Sequence, residues 1–430
     1  MNPVRRLCSA VTVFLLLLFS VYSGILHAQP RFTLAPTNHC RDFPANAQVT
    51  FADPDLEEVV RAALDLDAQQ PLTCGRAAQL QELIVGSSIE RVVYGGTLRP
   101  QPEKPFESLD GIQNLIGLTT LHLINRLITD LTPVGELRNL RNLNLHTNWF
   151  SDLEPLSELT ALEELIVSEN PISDISPLAG LTSLRRLQVH GLYPYQLQHY
   201  LNFNDGRDPD VVFNGITDIS ALAGLKEMRL LRIHLNAISD LSPLAGLSKL
   251  THLRIYDNQI EDLSPLTGLN ELVLLWAHNN SIRDIGALRT LTALQQLSLN
   301  DNTITDIGPL RPLINLEYLF LSNNAIADIA PLRRLHALQV LRLENNRIED
   351  ISALAGMINL RELSLARNWS LYDVGPLLLN AGIGQGDELD LRYTYVRCAD
   401  MDAFAARGVN LLRSTVVNGS ACNGRRLEDP

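Results

Sequence analysis

Lysine is nearly missing from this 430-residue chain: it occurs only at 104, 226 and 249, and arginine supplies the other bases. Biased codon usage accounts for that better than any function. Acidic residues are missing from the first 28 positions but dominate afterwards, with 48 Asp and Glu against 35 Lys and Arg in the whole chain. A surface with that excess repels nucleic acid and acidic lipid, which removes both as default partners. Catalytic signatures are missing as well. There is no Gly-x-Ser-x-Gly elbow, no His-Glu-x-x-His and no phosphate-binding loop. Pairs such as His252 with Asp257 are expected by chance in a chain this polar. The sequence therefore reads as a non-enzyme without a cofactor. Beyond residue 28 no second apolar span follows, and Gly424 to Pro430 shows no wall-sorting or lipid-anchor pattern. Hydrophobic residues still make up 46% of the chain, which argues against disorder and leaves enough to bury a core.

Residues 1–28 predict a secretory signal. Arg5 and Arg6 form its basic start, Val11 to Phe19 its apolar centre, and Leu26-His27-Ala28 its cleavage site. Losing those two arginines would leave 33 bases against 48 acids. The apolar run to Leu26 is interrupted by Ser20, Tyr22, Ser23 and Gly24 and is short for a membrane span, so an uncleaved anchor is the lesser alternative. Cleavage would place the chain outside the cytoplasm (secreted, periplasmic or at the cell surface) with no stable membrane span.

Length alone would suggest two or three domains, but the sequence repeats itself, and repeats make one long domain. From Leu118 the period is 22, with the pattern L-x-x-L-x-L-x-x-N-x-I-x-D-[LI]-x-P-L-x-x-L-x-x. Good copies begin at Leu140, Leu162, Leu250, Leu294 and Leu316; looser ones begin at Leu118, Leu184, Met228, Leu272, Leu338 and Leu360. Leu181 and Leu225 each close a repeat, so the phase adds a degenerate copy at 206–227 and makes twelve over 118–380. Positions 4 and 6, such as Leu143 and Leu145, are apolar and two apart, which is strand periodicity. One such repeat cannot bury its core alone, so stability comes from stacking. The regular Asn at position 9 sits where the chain leaves the strand, where its amide can satisfy turn groups that no sheet partner reaches. Ser176-Pro177, Ser242-Pro243 and Ser264-Pro265 predict a Ser N-cap and a Pro in the first helical position. Residues 29–117 read as an N-terminal cap with an incomplete first repeat and an insertion near 90–105, and 381–430 as a C-terminal cap. In the N-terminal cap, Asp53 caps a helix whose inner stripe is Leu56, Val59, Val60, Ala63 and Leu64.

With Cys8 in the signal, four cysteines remain, and four allow three pairings. A bridge between the ends needs Cα atoms within about 7 Å, whereas the intervening stack should span tens of ångströms. Cys40–Cys74 and Cys398–Cys422 are the expected pairs, one at each end, in the oxidising compartment that a signal implies.

This pattern resembles the leucine-rich repeat family, in its short 22-residue class found in bacterial internalins and in a eukaryotic phosphatase-regulating subunit. The match covers more than half of the chain. The flanks are similar to internalin-like secreted bacterial proteins: Phe51 to Leu64 looks like the helical N-terminal cap, and Gly386 to Leu391 with Cys398 and Ala406 to Val409 looks like the closing segment. The signal argues against the intracellular phosphatase branch. The resemblance implies an α/β repeat solenoid, a curved stack with a parallel concave sheet, a convex side of short 3-10 turns and loops, and two caps. It also implies a recognition scaffold.

Positions 3, 5 and 7 face outward from the strands, so specificity is read there. In the central repeats they supply Leu230, Arg232, His234, His252, Arg254, Tyr256, Leu274, Trp276, His278, Tyr318 and Phe320. Strands about 4.8 Å apart join these into one patch, and Trp, Tyr and Arg are enriched in binding hot spots. The competing account is that they pack on one another or lie under a loop. His146, His190, His234 and His278 recur every 44 residues and suggest a metal ladder. Two strand spacings, about 9.6 Å, would separate them, whereas zinc holds its nitrogens at about 2 Å; no metal is expected. The pattern breaks at 192–213, where Tyr193, Tyr195 and Tyr200 suggest a convex ridge or a second contact site. The Asp-rich part of that stretch lacks the offsets of a calcium loop. The expected partner is a protein, with surface glycan or envelope polysaccharide as the alternative, since Trp276, Tyr318 and Phe320 can also stack on sugar rings. A structural protein of the same organism's envelope is a third reading.

Overall fold

The computed structural model describes residues 32–86, 105–192 and 215–412. Fourteen short strands form one parallel sheet in chain order, from β1 (Glu82–Val85) to β14 (Asn410–Leu412). Among them are β4 (Glu164–Ile166), β5 (Arg186–Gln188), β6 (Leu230–Arg232), β7 (His252–Arg254), β8 (Leu274–Trp276), β9 (Gln296–Ser298) and β10 (Tyr318–Phe320), followed by β11 (Val340–Arg342), β12 (Glu362–Ser364) and β13 (Glu388–Asp390). Behind the sheet each repeat contributes leucines and isoleucines to a single core that runs from Leu34 to Val409. One layer shows the rule: Leu297, Leu299, Ile304, Ile307, Leu310 and Leu313 are all essentially inaccessible. The neighbouring repeats cover each layer, which is why the stack and not the single repeat is the stable unit.

The Asn ladder behaves as expected. Asn302 donates from Nδ2 to the carbonyls of Ala277 and Leu299 at 3.1 Å each, and its Oδ1 accepts from the Ile282 amide at 2.9 Å. Each Asn thus ties its own turn to the repeat before it. The residue ahead of it carries a constraint that the sequence pattern hides. Position 8 is left-handed in repeat after repeat, including Asn125, Thr147, Leu235, Asp257, Asn279 and Asn345, with φ between 51° and 61°. Asn and Asp tolerate this region; a γ-branched apolar side chain does not. Leu235→Asn is therefore expected to raise stability by about 1 kcal/mol, read as a higher urea midpoint, and a lower midpoint would show that Leu235 packing outweighs its backbone strain.

The 3-10 turns correct the expected capping. Ser242 is the first residue of its turn (Ser242–Leu244), with Pro243 second, and the cap position belongs to Leu241. Asp240 does the capping: its Oδ1 accepts from the Ser242 amide and its Oδ2 from the Ser242 hydroxyl, both at 2.7 Å. The reason is burial. Leu241 must fill the core, at 1% exposure, so the polar acceptor moves one residue back. Asp284 and Asp306 make the same backbone bond where glycine replaces serine.

At the N-terminus, helix Pro54–Ala63 is capped by Asp53, which accepts from the amides of Asp55 and Leu56. Leu56 and Val60 are buried and Val59 and Leu64 partly so, but Ala63 is exposed and leaves the expected stripe. Cys40 and Cys74 form a disulfide with Cα atoms 5.5 Å apart. Cys422 lies outside the described residues, so the expected bridge to Cys398 does too, as do the signal 1–28, most of the 90–105 insertion, and Tyr193, Tyr195 and Tyr200.

One correction changes the layout of the sheet. β5 pairs directly with β6, Arg186 opposite Leu230 and Gln188 opposite Arg232. The stretch 206–227, a separate copy by phase, holds no strand in its described part, 215–227. Its described end instead completes the repeat that begins at Leu184: Ile216, Ile219, Leu222 and Leu225 are buried in the core, and the Ile216 carbonyl accepts from Ala237 as the Ile238 carbonyl accepts from Gln259 one repeat later. The intervening residues equal one period in length, so the phase survives an insertion.

Candidate functional site

The direct pairing of β5 with β6 brings together side chains that the sequence count holds apart. His190 and His234 lie just beyond the ends of the adjacent strands β5 and β6 with rings stacked at 4.2 Å, and the expected 9.6 Å separation fails here. His234 stacks on Tyr256 at 4.1 Å, and Tyr256 on His278 at 4.2 Å. His146 meets His190 edge-on at 6.1 Å. The result is a column of aromatic rings across the open face of the sheet. Stacked imidazoles do not converge their nitrogens on one point. Among the described residues no group of three or more His, Cys, Asp or Glu could hold a metal ion.

Burial favours the neutral form of three of these rings, His190, His234 and His278. It drives the His190 pKa down to about 4, with His146 adding to the effect and Glu169 opposing it. Burial likewise holds His234 well below the ordinary value, helped by His190, Arg254 and Arg232. His278 is lowered by burial against the pull of Asp257 and Asp301, and its Nδ1 lies 3.1 Å from the Ser298 hydroxyl.

The expected patch divides into two kinds of residue. His234, Tyr256 and Leu274 are buried, at 3%, 4% and 6% exposure, because the column and its neighbours cover them. Leu230, Arg232, Arg254, Trp276, His278, Tyr318 and Phe320 are partly exposed, and His252 is exposed. Arg254 lies over the Trp276 ring, 4.1 Å from its centre, and Arg342 is 5.9 Å from that of Phe320. Lateral packing and exposure therefore coexist on this face.

Residues 248–290, 270–312, 292–334, 314–356 and 336–373 match the family described as Leucine Rich repeats (2 copies). A solved internalin, InlF of Listeria monocytogenes, is 28% identical, superposes with a TM-score of 0.71, and covers 86% of this chain and 96% of its own. Residues 248–373 are thus leucine-rich repeats, and the chain is a repeat solenoid that resembles the internalins. A leucine-rich-repeat protein of Leptospira interrogans shares the fold at 19% identity, with a TM-score of 0.58 over 83% of this chain and 98% of its own. So does a plant peptide hormone receptor, RGFR1, solved in complex with RGF2, at 20% identity and a TM-score of 0.53 over 81% of this chain and 64% of its own. Compared by sequence with curated proteins, the chain matches none.

Sequence reasoning missed a second feature of this leucine-rich-repeat sheet. A depression toward its C-terminal end is lined by Phe320, Glu344, Arg367, Asp390, Arg392 and Tyr393 among others. Much of its charge is spent internally: Arg392 is bound to Asp390 at 2.6 Å, Glu344 accepts from the Ser322 hydroxyl, and Arg367 sits 5.6 Å from the Tyr393 ring centre. The outward positions of β10 to β13 signalled it, but only the structure shows the pairing.

Proposed function

We propose that the chain is an exported, non-enzymatic recognition scaffold that binds a protein partner through the open, concave face of its sheet, centred on β6 to β10. The internalin-like leucine-rich-repeat fold commonly mediates protein binding. The observation that carries the reading is the partly exposed set Arg254, Trp276, Tyr318 and Phe320 on a face whose repeats need no aromatic there. The Cys40–Cys74 disulfide and the internalin likeness support a place outside the cytoplasm, in keeping with the signal expected at 1–28. No described helix is long and apolar enough to cross a membrane.

Glycan binding is the weaker reading on a specific ground. A sugar ring stacks on an open aromatic face. Of the rings expected to stack on a sugar, Trp276 carries Arg254 across it and Phe320 has Arg342 5.9 Å from its centre, which leaves Tyr318. The test is to probe protein and glycan arrays with wild type and with Trp276→Ala plus Phe320→Ala, folding being checked by thermal melting. Protein hits weakened at least about tenfold by the double substitution are expected. Glycan hits lost in the same way would replace this reading, and hits that survive would move the site away from the central face.

A further inference from the structure

Charge is distributed unevenly along the open face. Its first strands carry Glu82 and Glu164 at outward positions, and its last carry Glu344, Glu362, Glu388 and Asp390. Between them, from β5 to β10, no Asp or Glu stands at position 3, 5 or 7 among the described residues. That stretch instead holds Arg186, Arg232 and Arg254 on three consecutive strands. In a chain of net charge −13 this sets a basic strip on the strands themselves, with Asp257 and Asp301 at its border, at position 8 beyond the strand ends, where they act on His278. The neighbouring histidines register it: after burial, Arg254 and Arg232 are the next causes that lower His252. Arg186 is shared with Glu164 at 3.4 Å and Arg232 donates to Gln188 at 3.0 Å. Arg254 is held over Trp276, and among the described residues no carboxylate pairs with it.

An apolar zone adjoins the basic strip. Tyr318 and Phe320 lie three strands beyond Arg254 in the sheet order, about 14 Å away at the spacing of parallel strands. An extended peptide covers that distance in about four residues. A guanidinium resting on an indole keeps N–H donors free along its rim, in the fork that fits a carboxylate.

We infer that the element recognised on this face is an acidic segment of the partner protein, with a carboxylate over Arg254 and apolar side chains about four residues away on Tyr318 and Phe320. This rests on the protein-binding reading above and names the chemistry of its partner. The apolar zone is what favours a peptide over an acidic polysaccharide, which offers charge without apolar side chains.

The test is fluorescence anisotropy on the full chain. The probes are a labelled peptide with a Glu pair about four residues ahead of a Leu-Phe pair, the same peptide with Gln for Glu, and heparin. The Glu peptide is expected to bind at least about tenfold tighter than the Gln peptide and to weaken steeply with salt. Arg254→Gln should remove that advantage, and Arg254→Lys, which keeps the charge but loses the fork and the stacking on Trp276, should restore only a minor part of it. Thermal melting confirms that each variant is folded. Equal binding of the two peptides, abolished by Trp276→Ala plus Phe320→Ala, would overturn the acidic segment while leaving recognition by the face intact. Glu-peptide binding that ignores Arg254→Gln would overturn it too. Heparin binding lost in Arg254→Gln, with neither peptide bound, would replace it with an acidic polysaccharide and remove the protein-binding reading as well.

Discussion

Leu297→Ala is expected to lower stability by about 2–5 kcal/mol, against about 1 kcal/mol for Ser298→Ala next to it. Leu297 is the middle residue of β9, wholly inaccessible, and faces Leu275 and Leu319 in register on either side. Removing its isobutyl group opens a cavity in a core one layer thick, where the neighbouring repeats are fixed by their own strands and Asn ladder and close it only in part. Ser298 points to the other face, where the repeat alone would make it indifferent. It is nonetheless 5% exposed and its hydroxyl meets His278, so its loss should register. Urea unfolding of both variants decides the matter. Equal effects would mean that the inward and outward positions have been assigned in the wrong phase.

That phase was legible because leucine repeats impose it many times over. Positions 4 and 6 point inward at Leu143 and Leu145 as at Leu319 and Leu321, and the Asn after each strand bonds as its position demands. Other features were not legible, each for a physical reason. The insertion ahead of Ile216 has the length of one period, so counting by phase cannot distinguish it from a weak repeat; strand pairing can. The capping Asp was visible, but its role was given to Ser, because the pattern does not show that Leu241 must occupy the cap position and still reach the core. The left-handed residue at position 8 had no single residue type to announce it, since Leu235 and Thr147 stand where Asn279 and Asn323 do. The candidate site was legible as a set of outward positions on β6 to β10. The His234–Tyr256–His278 stack follows from consecutive repeats, whereas the place of His190 on it followed only from the direct pairing of β5 with β6.

Acidification from pH 7 to pH 4 is expected to remove about 3 kcal/mol of stability through His190 alone. Its folded pKa is about 4, against 6.5 for an unburied imidazole. Above pH 6.5 the ring is neutral whether the chain is folded or not, and it contributes nothing to the balance. Below 6.5 the unfolded chain binds a proton that the folded chain refuses, so stability falls until about pH 4 and then levels off. The surroundings explain the refusal. His190 is stacked on His234, has His146 at its edge, and lies near Arg232, while Glu169 and the Gly191 carbonyl offset only part of the cost. His234 is lowered in the same direction by burial and by His190, Arg254, Arg232 and His278, so the column should act together. His190→Tyr keeps an aromatic ring in the stack, as Tyr256 already does, and removes the titration. Urea unfolding at pH 7 and pH 4.5 should show the variant losing about 2–3 kcal/mol less than wild type, because the carboxylates common to both cancel in the difference. Parallel losses would show that the folded protein accepts a proton on His190 as readily as the unfolded chain, and imidazole titration by NMR would then place that group near 6.5 instead of near 4.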